Sequence, residues 1–186
     1  MGGIYVDISA AIWLVWVISW KAASFWRAPT TVEAPANRYR PHFAIAVGGF
    51  LLTFGVVPWQ FDKLWTAGPV LGWAMVALTA ASLAFTWWAR LAMGRLWNGG
   101  VSRTAEHRVI ESGPFALVRH PIYTGMIAAV WAVAVLQARP LALLGAALFA
   151  LGFTLKARLE ERFLAEEFPG YEDYRRRVPM IVPVVI

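Results

Sequence analysis

Long stretches without a formal charge constrain this chain more than any other feature. Residues 42–61 carry none before Asp62, and residues 64–89 carry none before Arg90. Crossing the hydrocarbon core of a bilayer takes about 20 mostly apolar helical residues, and each of these runs supplies them. Residues 8–20 are apolar as well, and Lys21 can snorkel from the end of a span that continues towards Trp26. Residues 122–138 and 140–155 are each short for an independent span. Separated only by Arg139-Pro140, they read as a tight helical hairpin turning at Ala138–Pro140, with Pro140 in the first turn of its second helix. Residues 1–20 lack the basic start of a signal peptide and carry Asp7, so they read as part of a span. The expected fold class is all-α: a polytopic integral membrane helical bundle of about five transmembrane helices, the last two forming the hairpin. Residues 1–186 form one integral membrane domain in this reading, with three spans in 1–89 and the last two in 90–186. Composition agrees, since 59% of residues are hydrophobic and 15% charged, against about 45–50% and 25% in soluble domains.

The net charge of +6 raises two partners, nucleic acid and membrane. The placement of the basic residues chooses between them. Lys21, Arg27, Arg38 and Arg40 follow the first span. Arg90, Arg95, Arg103, Arg108 and Arg119 follow the third, and Lys156, Arg158, Arg162, Arg175, Arg176 and Arg177 follow the fifth. Only Lys63 and Arg139 fall on the other side, so 15 of 17 basic residues share one side. Positive loops stay in the cytoplasm, which puts the N-terminus outside and the C-terminus in the cytoplasm. That membrane is the cell inner membrane in a bacterium or the endoplasmic reticulum in a eukaryote. No basic stripe with interleaved aromatics lies on a soluble face, so nucleic acid is not an expected partner. Tryptophans mark the interfaces: Trp20, Trp26, Trp87 and Trp88 near the cytoplasmic ends, Trp59 and Trp65 near the outer ones. Trp13, Trp16 and Trp73 lie deeper and can either pack or line a lipid cavity.

The chemistry has little room. Cysteine is absent, which removes disulfides, thiolate metal sites and cysteine nucleophiles. No phosphate-binding glycine loop occurs, and the apolar spans leave no room for a Rossmann domain. His107 and His120 lack helical metal-ligand spacing, so no metal is expected. Polar residues concentrate in 90–123 and 156–179, the two segments flanking the hairpin. Ser112-Gly113-Pro114 marks a turn, and His120-Pro121 breaks the chain before a helix that would carry Tyr123. The start of that helix, with Arg119 and His120, favours an anion. Further on, Lys156 and Glu160 stand four apart on one helix face beside an apolar stripe of Leu155, Leu159 and Phe163. That helix is expected to continue the last span to Phe168. Six of the 11 acidic residues lie between 160 and 173, and Glu160 is the one nearest the apolar run.

Two separated motifs then make a recognisable pair. His107-Arg108-Val109-Ile110, Ser112-Gly113-Pro114-Phe115 and Arg119-His120-Pro121-Ile122-Tyr123-Thr124-Gly125 come first. Glu160-Glu161-x-x-Leu164, Tyr171, Tyr174 and Val178-Pro179 follow. Together they resemble the isoprenylcysteine carboxyl methyltransferase family, related to the phospholipid methyltransferases, over roughly residues 90–183. The resemblance implies S-adenosylmethionine as cofactor, in a cytoplasmic pocket without a Rossmann domain. His107, Arg108, Val109 and Ile110 then correspond to the segment at the adenine end. Phe115, His120, Pro121, Ile122, Tyr123 and Glu160 correspond to further cofactor contacts, with Phe115 standing where the family often has tyrosine. Lys156 occupies the position of an arginine linked to the substrate carboxylate, and Lys156 and Arg119 are the candidates for positioning the substrate. The implied reaction is methyl transfer to a lipid-like or prenylated small molecule in the membrane, on oxygen or nitrogen. A membrane reductase using NADPH, of the sterol-reductase type, is the competing enzyme class. A membrane assembly or sensing protein that keeps the fold without turnover is the competing non-enzyme class.

Overall fold

A computed structural model describes residues 3–26, 30–33, 36–55, 62–97, 102–104, 109–168 and 170–183. Five long helices and one short one occupy these residues: α1 (Gly3–Ala23), α2 (Ala36–Thr53), α3 (Pro69–Met93), α4 (Pro121–Gln137), α5 (Pro140–Glu167) and α6 (Tyr171–Arg177). Helices Gly3–Ala23, Pro69–Leu96 and Pro140–Glu167 are each long and apolar enough to cross a membrane, and Pro121–Gln137 is a shorter apolar helix. The chain is thus an all-α integral membrane protein, as its uncharged runs require.

Proline sets three of the helix starts. Pro69, Pro121 and Pro140 open α3, α4 and α5, where a missing N–H costs nothing because the first turn has no acceptor for it. The hairpin turns where expected. Ala138 takes a left-handed conformation (φ +54°) and its N–H bonds the Ala134 carbonyl. The segment before α3 closes over this turn, with Leu64 N–H donating to Ala138 O (2.7 Å) and Trp65 Nε1 to Val135 O (3.1 Å).

The second helix departs from the expected span of 42–61. It begins at Ala36, takes Pro41 within its second turn and ends at Thr53; residues 56–61 lie outside the described residues. Its packing explains its place. A Cβ on Gly49 would sit 2.5 Å from the Gly145 carbonyl, and one on Gly152 would sit 2.6 Å from the His42 carbonyl. The backbones of α2 and α5 therefore touch, as small residues allow within membranes. Of the Gly48-Gly49 pair only Gly49 serves this contact, since Gly48 faces open space. The core between the helices is aromatic and aliphatic. Trp13 meets Phe50 and Phe54 edge-on (5.1 and 6.0 Å), beside Leu83, Val130, Val133, Phe149 and Phe153.

One element was not foreseen. Strand β1 (Thr30–Glu33) pairs antiparallel with β2 (Ser102–Thr104), Thr30 opposite Thr104 and Glu33 opposite Ser102. This ribbon ties the segment after α1 to the segment after α3. Strands of three or four residues in polar segments offer too short an alternation to be read.

Candidate functional site

The site lies where the start of α4 meets the end of α5. Helix α5 does not stop with its apolar part but runs on to Glu167, close to the expected end at Phe168. Its buried side is the series Phe149, Phe153, Ala157, Glu161, spaced four apart. Leu155, Leu159 and Phe163, the stripe expected there, are only half-buried. Lys156 and Glu160 share the next face, and Lys156 Nζ stands 3.4 Å from Glu160 Oε1.

Tyr123, in the first turn of α4, joins these two. Its hydroxyl donates to Glu160 Oε1 (2.7 Å) and accepts from Lys156 Nζ (2.9 Å). Lys156 Nζ also lies 5.2 Å from the centre of the Tyr123 ring, within cation–π range. The His120 ring is parallel to that of Tyr123, 5.4 Å away at 4°. Its two nitrogens face two different carboxylates: Nδ1 is 3.6 Å from Glu160 Oε2, and Nε2 is 3.2 Å from Glu161 Oε1.

Arg119 turns the other way. Its Nε donates to Glu161 Oε1 (2.7 Å), and Nη1 donates to the carbonyls of Arg175 (2.6 Å) and Val178. Arg175 Nε approaches the second Glu161 oxygen at 3.6 Å. The C-terminal segment completes this arrangement. The N–H groups of Arg119 and His120 donate to Pro179 O (2.8 Å) and Met180 O (3.0 Å), and Thr124 Oγ1 donates to Ile181 O (2.6 Å). The two backbone N–H groups just ahead of α4 are therefore held by the C-terminal segment. Below α5, Tyr174 donates to the Phe115 carbonyl (2.7 Å). Burial holds the Tyr171 and Tyr174 phenols above the ordinary phenol range; the Glu161 charge adds to the rise at Tyr171.

A cavity of about 540 Å³ opens beside this cluster. Arg119, His120, Tyr123, Lys156 and Glu160 form its polar end. Trp16, Val17, Trp20 and Lys21 of α1 also line it, with Phe43, Trp97 and Phe153. A smaller adjoining cavity of about 90 Å³ is lined by Val109, Ile110, Tyr171 and Tyr174, and shares Met93, Leu96, Phe115, Arg119 and Leu164 with the larger one. Of the expected residues, Phe115, Arg119, His120, Pro121, Ile122, Tyr123, Lys156 and Glu160 line the large cavity, and Val109 and Ile110 the small one. His107 and Arg108 lie outside the described residues. Trp16 lines the large cavity, Trp13 packs in the core, and Trp73 is exposed.

Glu161 stands in the second motif but was assigned no role from the sequence, although it is buried and holds Arg119 and His120 together. The four-residue spacing from Phe149 was its signal: a buried apolar stripe that ends in a carboxylate. Of the aromatic wall, Trp16 was among the tryptophans expected to pack or line a cavity, whereas Trp20 and Trp97 had no such signal beyond apolar character.

The donor set suits S-adenosylmethionine. That molecule carries a carboxylate, an ammonium, a sulfonium and ribose hydroxyls on a flat base. The cavity offers a carboxylate, an ammonium, an imidazole and a phenol at one end, with an apolar recess beside Phe115. Among the described residues, no group of three or more acidic or histidine side chains is placed to hold a metal.

Comparison with known proteins follows the same residues. A model of the isoprenylcysteine carboxyl methyltransferase family matches residues 74–166, half of the chain. The chain is similar to a nickel-cobalt-cadmium resistance protein of Alcaligenes xylosoxydans xylosoxydans, 27% identical over 84% of this chain and 70% of that protein. It is similar to a cobalt-zinc-cadmium resistance protein of Cupriavidus metallidurans, 30% identical over 71% of this chain, and spans only 56% of that relative's length. Methanethiol S-methyltransferase 2 of Bradyrhizobium diazoefficiens is 43% identical over 37% of this chain and 26% of its own.

Proposed function

The chain belongs to the isoprenylcysteine carboxyl methyltransferase family, and from that premise we propose that it transfers a methyl group from S-adenosylmethionine to a lipid-like acceptor in the membrane. One observation carries this reading: Lys156, Tyr123, Glu160 and His120 converge at one end of an otherwise largely apolar cavity. Polar recognition at one end and apolar walls elsewhere suit a polar cofactor meeting an acceptor with an apolar body.

When bound, S-adenosylmethionine supplies a methyl on a positively charged sulfur. The protein's part is to hold, orient and exclude water. Glu160 is assigned to the cofactor's ammonium or ribose hydroxyls, with Tyr123 and His120 fixing the direction of its two oxygens. Val109, Ile110 and Phe115 are assigned to the base, together with His107 and Arg108. Pro121 and Ile122 supply the turn that brings Tyr123 to the cavity. Lys156 is assigned to the acceptor's polar group, held on target by its bond to Tyr123. Arg119 lines the same end, and by pairing with Glu161 it fixes the stretch that carries His120. A carboxylate acceptor is already ionised at pH 7 and needs no base. An amine or thiol must lose a proton, for which His120 and Glu160 are the nearest groups. A thiol acceptor is the second reading, favoured by the similarity to methanethiol S-methyltransferase 2. We place the N-terminus outside and the cavity's polar end at the cytoplasmic face, from the distribution of basic residues.

Titration calorimetry of the detergent-purified protein with S-adenosylhomocysteine tests the proposal. The expected result is saturable binding that weakens by about tenfold or more in Glu160→Gln and His120→Ala. No saturable binding, or binding unchanged in both variants, overturns it. Radiolabelled methyl transfer to a lipid extract or to methanethiol then separates the two acceptor classes.

A further inference from the structure

Arg90, in the last turn of α3, is wholly buried. A buried cation is costly unless its donors are matched. Its partners here are backbone carbonyls and indole rings. Nη1 donates to Gly94 O (2.5 Å), and Nη2 donates to Ala23 O (3.0 Å) and Trp26 O (2.7 Å). Its Cζ lies 5.1 Å from the Trp26 ring centre and 4.6 Å from that of Trp97. Ala23 ends α1, so the guanidinium neutralises the negative end of that helix. One side chain thus binds the end of α1 to the end of α3 and to the turn that follows.

The consequences reach the cavity through aromatic rings. Trp97 meets Trp20 edge-on (5.5 Å, 90°), and Trp20 stacks on Trp16 (4.7 Å, 25°). Trp16 Nε1 donates to Thr86 Oγ1 (2.7 Å), one turn before Arg90 on α3. Trp16, Trp20 and Trp97 all line the cavity, and Arg90 does not. The opposite side of α1 presents Leu14, Val15 and Ile18 outward, all exposed. Lipid contacts there are interchangeable, so the position of α1 depends on its inner attachments.

We propose that Arg90 is a positioning residue: it holds the α1 wall at the distance from α4 and α5 that defines the space for the methyl acceptor. Lysine cannot substitute, because a point ammonium on a flexible stem neither forks to several carbonyls nor lies flat between two indoles. The spacing claim stands on geometry alone, and only its effect on the acceptor rests on the methyl-transfer reading.

The absence of cysteine permits a direct test. Ile18→Cys on α1 and Leu151→Cys on α5, both exposed positions, take spin labels for distance measurement in detergent. A single narrow distance is expected with Arg90 in place, and a broadened or shifted one in Arg90→Gln and Arg90→Lys. In the same variants without labels, the Kd for S-adenosylhomocysteine should stay within about twofold. The KM for a prenylated cysteine used as acceptor probe should rise about tenfold or more. Unchanged distances in folded Arg90 variants overturn the proposal, and so does a parallel loss of cofactor and acceptor binding. Should Arg90→Gln fail to fold, Arg90→Lys carries the same comparison. Absence of cofactor binding in the parent protein overturns the methyl-transfer reading alone, and the distance measurement still decides the clamp.

Discussion

Replacing Glu161 by Gln tests whether the buried ionic cluster, and not the helical hairpin alone, fixes the start of α4. The substitution keeps the shape and removes the charge. Glu161 is 5% exposed and its Oε1 accepts from both Arg119 and His120. Breaking a buried ion pair by removing one partner costs about 3–5 kcal/mol, because the other charge stays buried. Arg119 keeps the carbonyls of Arg175 and Val178, so the low end, about 3 kcal/mol, is expected. For a chain of this size that lowers the Tm by roughly 6–12 °C. Thermal unfolding in detergent reads it, with Arg177→Ala as control. Arg177 pairs with Glu111 at 2.7 Å, but both are largely exposed, and such pairs contribute about 0–1 kcal/mol. A Glu161→Gln protein no less stable than the Arg177→Ala protein would refute the reasoning.

Two further outcomes follow from burial and close approach. The Tyr171 and Tyr174 phenols are held above the ordinary range by burial, while in the unfolded chain they titrate near pH 10. Since the folded state favours the neutral form, their contribution to stability is complete below about pH 10 and is lost as pH rises beyond it. An ultraviolet phenolate titration should show a late phase tied to unfolding, reduced in Tyr171→Phe and Tyr174→Phe; all five tyrosines titrating reversibly together would contradict this. Gly145→Ala places a Cβ 2.6 Å from Gly49 O and Thr53 Oγ1 and should cost about 1–3 kcal/mol by overpacking. Gly48→Ala meets no atom within 4 Å and should be neutral or stabilising by up to about 1 kcal/mol; equal melting temperatures for the two would count against direct α2–α5 backbone contact.

The helices were legible because an uncharged run of span length has few alternatives, and the hairpin because Arg139-Pro140 interrupts one such run without room for a loop. The cavity residues were legible through two ordered motifs, of which only His107 and Arg108 fall outside the described residues. What was hidden is long-range. Arg119 and Glu161 are 42 positions apart, and Arg90 meets the Ala23 carbonyl across 67. Neither separation leaves a periodic trace. In the sequence Arg90 is one more positive charge after a span and the first residue of the run Arg90–Trp97 that resembles the family's lead-in, and only its complete burial between carbonyls and indoles reveals its other part. The early start of α2 at Ala36 was obscured by Arg38, Arg40 and Pro41, which resemble a loop.

The adjacent glutamates show why the distinction matters for function. Successive residues of a helix point about 100° apart, so Glu160 and Glu161 face different surroundings. Glu160 lines the cavity with Lys156 and Tyr123, whereas Glu161 lies on the buried side with Arg119 and Arg175. His120, with one nitrogen towards each, is the point where the two roles meet. Charge removal should therefore separate them: Glu160→Gln weakens cofactor binding with a small change in stability, and Glu161→Gln lowers stability before it touches binding. If both variants lost affinity and stability in equal measure, the two carboxylates would form one undivided network, and neither the cavity assignment of Glu160 nor the scaffold assignment of Glu161 would stand.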